Sequence, residues 1–285
     1  MDLQIELEKE LDSELEKHLS GKAGHSPKIL SDSIRYSIFT PGKRIRPRLL
    51  LTTGKMLGLK KESLIPAAAA LEFIHCFTLI HDDLPCMDDD DMRRGQPSNH
   101  KKFGEDVALL AGDALQAIAV DAFLNTPLPA DVVLEGLRKF QDAVGPRGVI
   151  GGQAAESGLL QPEATLSDLQ WVHAQKTGAL FLASILVPAA FARIEEASER
   201  GQALAAFGKS LGNAFQVADD LEDGIPTDTA KTSVLAYLSP EEAIRSSSAK
   251  LTPAMEKISA LWGNQSRELI LLAEEVLKKL RRAHP

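Results

Sequence analysis

LIPAAAALEFIHCFTLIHDDLPCMDDDD, residues 64–91, is an apolar run that ends abruptly in acid. The pattern over 64–82 predicts a buried helix, and the small side chains of Ala67–Ala70 favour close helix–helix contact. Six carboxylates follow within the ten residues 82–91. Packed carboxylates repel one another and raise each other's pKa unless cations neutralise them. Oxygen-only ligands suit a hard ion such as Mg²⁺. An EF-hand does not fit, because its alternating ligands and central glycine are missing. The bland alternative is a solvated acidic loop, the commoner meaning of a charge run. Asp82 and Asp88 are six apart and would diverge on a regular helix. Pro85 lies between them and predicts a break that lets Asp88 fold back.

Helical periodicity continues in both directions. Leu3, Leu7, Leu11, Leu15 and Leu19 line one face of an N-terminal helix that Ser20-Gly21 ends. Further helices are predicted over 28–39, 43–58, 104–123, 130–143, 167–175, 177–193, 197–222, 240–247 and 252–280. Thr40-Pro41-Gly42, Gly58, Gly95-Gln96-Pro97, Pro127-Leu128-Pro129, Gly145-Pro146 and Pro226 separate them. Period-2 runs are scarce, so no sheet is expected. No long polar linker and no repeat is visible. The sequence predicts an all-α protein, one domain over 1–285, built as a large helical bundle.

Composition narrows the function. The 285 residues carry 32 Lys+Arg against 40 Asp+Glu, a formal charge of -8. That balance argues against nucleic acid as a partner, since phosphate binding needs a basic field. Two cysteines, Cys76 and Cys86, fit a reducing compartment rather than a disulfide framework. The N-terminus lacks the pattern of a signal peptide. The longest uncharged run, between Lys176 and Arg193, contains Pro188 and falls short of the roughly 20 apolar residues of a membrane span. A cytoplasmic protein with no membrane span is expected.

A second acidic cluster, Asp219-Asp220-Leu221-Glu222-Asp223, ends another apolar helix. Asp219 and Asp223 are four apart and share a helical face. Two such clusters suggest two walls of one metal-filled cavity, as bundle metal sites form on facing helices. Basic groups flank them: Lys43, Arg44, Arg46 and Arg48 at a helix start, Arg93-Arg94 after the first cluster, and Lys176-Thr177. Carboxylates beside arginines suit a polyanion held by Mg²⁺ on one side and Arg/Lys forks on the other; a diphosphate fits. No P-loop and no serine-nucleophile motif occurs.

These segments resemble the trans-isoprenyl diphosphate synthases, most closely the bacterial short-chain farnesyl diphosphate synthases (geranyltranstransferases). The matching stretches, in family order, are GKRIRP at 42–47, EFIHCFTLIHDDLPCMDDDDMRRGQPSNH at 72–100, FG at 103–104, LAGDALQ at 110–116, GGQAAE at 151–156, KTGALF at 176–181 and FQVADDLED at 215–223. The resemblance implies a transferase of prenyl groups with an all-α fold around a central cavity. It implies condensation of isopentenyl diphosphate with dimethylallyl or geranyl diphosphate to give farnesyl diphosphate. By similarity, Asp82 and Asp88, assisted by Asp83, would hold magnesium, as would Asp219, Asp220 and Asp223, with three Mg²⁺ per site. Arg93, Lys176, Thr177 and Gln216 would bind the allylic diphosphate, and Lys43, Arg46, His75 and Arg94 isopentenyl diphosphate. Asp82, Asp83, Asp88, Arg93, Lys176 and Asp219 would carry the catalysis, and the protein would be a homodimer.

The implied chemistry needs no protein base. Loss of diphosphate leaves an allylic cation, which the positioned double bond traps. The final proton goes to the departing diphosphate. Chain length would be set below the first motif. Phe77, five residues before Asp82, would floor the cavity in the farnesyl-forming manner; the alternative is a plain core aromatic. The sequence departs from the family after Asp223. There Lys231-Thr232-Ser233 stands in for a Gly-Lys-Ser/Thr segment, without the glycine and after fewer residues. Glu156 stands where the family has Asp. A geranyl or geranylgeranyl diphosphate synthase, and a non-catalytic partner subunit of an active synthase, stay open as alternatives.

Overall fold

The computed structural model describes residues 2–20, 26–159, 163–224 and 232–282, with side chains from residue 9 to 158 and onward through the same segments. Its described residues are almost entirely helical, which bears out the all-α expectation. By internal contacts the chain divides into two compact units, residues 1–51 with 60–129, and residues 52–59 with 130–285.

The first unit is organised around α4 (Ile65–Asp82). Ala67, Ala68, Ala69 and Ala70 are fully buried, as are Leu71 and Phe73. The alanines let α6 (Glu105–Leu124) lie close along α4. α1 (Asp2–Ser20) also packs on α4, burying Leu11, Leu15 and Leu19 from the predicted stripe. The side chains of Leu3 and Leu7 lie outside the described residues. α2 (Lys28–Ile38) covers α6. Asn99, in α5 (Asn99–Phe103), ties this segment to α2: it accepts from Ser33 Oγ at 2.7 Å and donates to Ser37 Oγ at 2.8 Å.

α3 (Ile45–Met56) follows the basic segment at 42–46. Arg44, which precedes α3, adopts φ +45° and turns inward. Its guanidinium meets Glu72 Oε1 at 2.5 Å and the Ile38 carbonyl at 2.5 Å. Both charged side chains are buried, 7% and 2% exposed.

The second unit is built on α10 (Ala179–Phe191), which lies against α7 (Ala130–Val144) and α11 (Glu199–Asp223). α11 in turn carries α12 (Pro240–Trp262) and α13 (Arg267–Arg282). Local chemistry starts these helices where expected. Thr165 and Asp168 form a capping box at α9 (Leu166–His173), Ser198 caps α11, and Ser239 with Glu242 boxes α12.

Four local expectations change. α8 (Val149–Leu159) forms where the glycines at 151 and 152 masked any periodicity. α9 does not stop before α10; a π-helical turn over Ala174–Gly178 joins them. α12 runs through Pro253 and stops only at Gly263, φ +53°, so the break expected near 250 is absent. A two-residue hairpin replaces the loop after the first acidic run, with β1 (Met92–Arg93) antiparallel to β2 (Gln96–Pro97).

Among the described residues, two stretches reach the length and apolarity of a membrane span, α6 and the joined α9–α10. The window in the second is 61% buried, which marks α10 as a core helix.

The Arg44–Glu72 pair gives a stability test. Glu72→Ala strands a buried guanidinium and is expected to cost about 3–5 kcal/mol. Adding Arg44→Met should recover much of that loss. Urea unfolding of the two variants measures both effects.

Candidate functional site

In the first unit, α4 ends at Asp82 and the chain turns back on itself. The Asp88 amide donates to the Asp82 carbonyl at 2.9 Å, and the Met87 and Asp89 amides donate to Leu84 at 2.8 and 3.2 Å. Pro85 therefore does what the spacing required: it interrupts the helix and returns Asp88 towards the helix end. Asp82 is partly exposed and Asp88 exposed. Asp89 takes φ +52° within this turn, a conformation that non-glycine residues hold only where their surroundings enforce it.

Asp83 is different. It is 2% exposed, and its Oδ1 accepts from Arg93 Nε at 2.8 Å and from a second Arg93 nitrogen. The same guanidinium reaches Asp90 Oδ2 at 2.8 Å. Burial pushes the Asp83 carboxyl above its ordinary range, and Arg93 opposes that shift. The hairpin makes the pairing possible. Arg94 and Gly95 form its two-residue turn with φ +53° and +77°, both positive as a type I′ turn requires. The turn sends Arg93 back to Asp83 and Arg94 the other way, towards His75.

His75, on α4, lies between two arginines. Arg46 NH1 approaches its Nε2 at 3.3 Å and Arg94 NH2 at 3.5 Å. Burial, then Arg46 and Arg94, hold its pKa well below the usual histidine value, so the ring is neutral and accepts. A Cβ on Gly42 would stand 2.6 Å from Arg94 NH1. A larger residue would push that guanidinium aside, and the absence of a side chain lets it lie directly over Gly42. Lys43 is exposed beside it. Arg46, His75 and Arg94 thus meet, with Lys43 exposed in the same segment as Arg46, whereas Arg44 is withdrawn to Glu72. Phe77 is 5% exposed, with its ring edge-on to His81 at 4.9 Å between centroids; His81 Nε2 lies 3.0 Å from the Leu109 carbonyl oxygen on α6.

The sequence reading missed one further group. Donor atoms of Asp89, Asp91 and His100 lie within 4.8 Å of one another. Asp91 is also bound by Lys101 Nζ at 2.7 Å.

In the second unit, the π-helical turn presents Lys176 and Thr177. A Cβ on Gly152 would meet the Lys176 backbone nitrogen at 2.3 Å, so glycine lets α8 press against the turn. Glu156 then reaches Lys176 Nζ at 2.5 Å. Thr177 Oγ1 donates to Gln216 Oε1 at 2.6 Å, and Gln216 Nε2 donates to Asp220 Oδ1 at 2.8 Å. The Val234 amide completes the chain, donating to Asp220 Oδ2 at 2.7 Å. Asp220 is 5% exposed and has both oxygens engaged. Asp219 and Asp223 lie about one turn apart on α11, Asp219 half-buried and Asp223 exposed. Asp219 is held by Lys279 of α13, which also meets Glu222 Oε2 at 3.1 Å. Burial raises the Asp219 pKa, against the pull of Lys279. Lys231 lies outside the described residues.

The donor chemistry fits a divalent hard cation in both units. Asp82 with Asp88, and Asp219 with Asp223, offer carboxylate oxygens, with no sulfur or imidazole in either set.

Comparison with known proteins agrees. A family model described as polyprenyl synthetase matches residues 27–234. A geranylgeranyl diphosphate synthase from Cyanophora paradoxa is 37% identical over 270 residues, 89% of this chain and 89% of that protein. A farnesyl diphosphate synthase from Geobacillus stearothermophilus is 41% identical over 200 residues, 69% of this chain and 67% of that protein. Among solved structures, a geranyltransferase from Legionella pneumophila superposes with a TM-score of 0.85 at 31% identity, over 99% of each chain. With more than half its length inside the family model and both acidic motifs intact, the chain is a prenyltransferase of the polyprenyl synthetase family.

Proposed function

We propose that this prenyltransferase is a farnesyl diphosphate synthase, joining isopentenyl diphosphate to dimethylallyl and then geranyl diphosphate. The observation that carries the product assignment is Phe77, a buried aromatic one and a half turns before Asp82. The relatives' names are mixed, so they support the reaction class and not the length. A geranylgeranyl product is the second reading, favoured by the Cyanophora paradoxa relative, whose match spans 89% of both chains.

In this reading Asp82, Asp88, Asp219 and Asp223 would hold magnesium, three ions in all, and Asp83 and Asp220 would support the two motifs from behind. Bound magnesium supplies positive charge that stabilises the departing diphosphate. Arg93 is aimed by Asp83. With Lys176, Thr177 and Gln216, it binds the allylic diphosphate and stabilises the charge that grows on its oxygens as the C–O bond breaks. Lys43, Arg46 and Arg94 fix the isopentenyl diphosphate. Neutral His75 positions the two arginines without adding a charge of its own. Lys231 takes part as a further cation. The double bond attacks the allylic cation, and the released diphosphate accepts the proton. Apolar walls exclude the water that would quench the cation.

We read residues 1–285 as one synthase domain, in a cytoplasmic protein that works as a homodimer. Support for the compartment comes from Cys76 and Cys86, both free. Support for the dimer comes from α6, whose apolar window is 39% buried and which exposes Leu109, Leu110 and Leu124.

Four tests follow from these assignments. Incubation with isopentenyl diphosphate and each allylic primer, with and without Mg²⁺, is expected to give Mg²⁺-dependent farnesyl diphosphate. Asp82→Ala and Asp219→Ala should each lower turnover by at least about a hundredfold with an unchanged circular dichroism spectrum; near-wild-type turnover in both would overturn the metal assignment. Phe77→Ala should lengthen the product, read by chromatography of the dephosphorylated alcohols, and an unchanged farnesol peak would remove Phe77 from length control. Leu110→Glu should convert a dimer to a monomer in sedimentation; an unchanged mass would place the interface elsewhere.

A further inference from the structure

α13 is an amphipathic helix with its stripe of Leu269, Leu272, Ala273, Val276, Leu277 and Leu280 buried. Four cations crowd its last turns. Lys278, Arg281 and Arg282 are exposed, as basic residues at a helix C-terminus usually are. Lys279 is not: it lies on the buried stripe, seven residues after Leu272 and three after Val276, and its side chain is only 17% exposed.

Its ammonium group sits in a cage built by one face of α11. Asp219 Oδ1 is in direct contact, Glu222 Oε2 lies at 3.1 Å, and the Phe215 ring centroid at 5.0 Å. Residues 215, 219 and 222 follow the i, i+4, i+7 spacing that aligns side chains along a helix. Two anions and one aromatic face form a complete seat for a primary ammonium. The seat includes the carboxylate assigned above as the main donor of the second motif.

We propose that Lys279 is the resident counter-cation of the second aspartate motif, and that a divalent metal binds Asp219 only by displacing it. The proposal rests on the metal assignment made for Asp219. Lys279 contacts Asp219 Oδ1, and a metal on either oxygen of that carboxylate would bring its charge within a few Å of the ammonium, where repulsion in a partly buried site is large. Metal entry is therefore an exchange. The affinity of the motif for metal is lowered by the stability of the Lys279–Asp219 contact, as it is for any ligand whose binding-competent state is sparsely populated. The flexible four-carbon stem lets the ammonium swing aside while the helix stays in place. Lys279 thus keeps Asp219, Glu222 and Asp223 from repelling one another before metal arrives and sets how readily the motif loads.

The test uses Mn²⁺ alone, with no substrate, titrated against the full chain and followed by the electron paramagnetic resonance signal of the free ion. Lys279→Met keeps the stem and removes the charge. It is expected to bind Mn²⁺ about tenfold more tightly at the Asp219-dependent site, the worth of one charge-assisted hydrogen bond. Lys279→Arg, which restores the charge, should return to wild-type affinity. Lys279→Gln serves if the methionine variant misfolds. Asp219→Asn identifies the site by abolishing it in both backgrounds. An Asp219-dependent Mn²⁺ site whose affinity is the same in wild type and Lys279→Met would overturn the role of Lys279 and leave the metal assignment standing. No Asp219-dependent site in either background would overturn both.

Discussion

A carboxylate buried at the end of an apolar helix requires a neighbouring cation, because leaving it ionised and unpaired costs several kcal/mol. Much of this protein's irregular structure answers that requirement. The type I′ hairpin returns Arg93 to Asp83. The π-helical turn brings Lys176 to Glu156. The left-handed backbone at Arg44 points it at Glu72, and the inward lysine of α13 meets Asp219. The hairpin, the π-helical turn and the left-handed residue each deliver a cation to a carboxylate, and Lys279 reaches its carboxylates from a regular helix. The non-glycine residues with positive φ at Arg44, Asp89 and Arg94 fall in these same segments, where surrounding contacts can hold such a backbone.

The same constraint shapes the chemistry. A site that must bind a polyanion with divalent cations has to assemble excess negative and excess positive charge near one another. Left alone, the two sets would collapse onto each other or repel among themselves. Here some pairs are structural and permanent, as at Arg44–Glu72, where both side chains are nearly inaccessible. Others are partly open, as at Lys176–Glu156 and Lys279–Asp219. The open pairs are the ones on residues assigned to ligands. Their cations are pre-aimed, and in the proposed reading a metal or phosphate oxygen would replace one partner without building the geometry anew. The formal charge of -8 therefore says little about what a diphosphate meets.

Much of the fold was legible because the apolar stripes, proline breaks and capping residues acted locally. The acidic motifs were legible because six carboxylates after a buried helix are chemically conspicuous. What stayed hidden depended on tertiary context. Gly151 and Gly152 look like a loop until α8 is packed against the π-helical turn. Pro253 reads as a helix start, yet α12 runs through it. Arg44 is indistinguishable in sequence from Lys43 and Arg46, and only its path to Glu72 separates it. Lys279 carried a usable signal: a lysine on the apolar stripe of 267–282, spaced with Leu272 and Val276, marks a charge that must find a buried partner.

Adjacent aspartates are the last case, and they show why spacing alone overstates equivalence. Asp82-Asp83 and Asp219-Asp220 each read as a run of like ligands. One residue along a helix is a rotation of about 100°, so neighbours cannot face the same way. In both pairs the second residue is the buried one, at 2% and 5% exposure. Asp83 is used up in aiming Arg93, and Asp220 in joining Gln216 to the Val234 amide. The first residue of each pair keeps the more open position. The two motifs thus share one plan, in which the inner carboxylate fixes the protein's own groups and the outer one is the more accessible. Asp220 has both oxygens engaged and Asp83 one, so the inner carboxylates have less lone-pair capacity to spare, and metal at either motif would rest mainly on the outer aspartate and on its partner further along, Asp88 in one motif and Asp223 in the other.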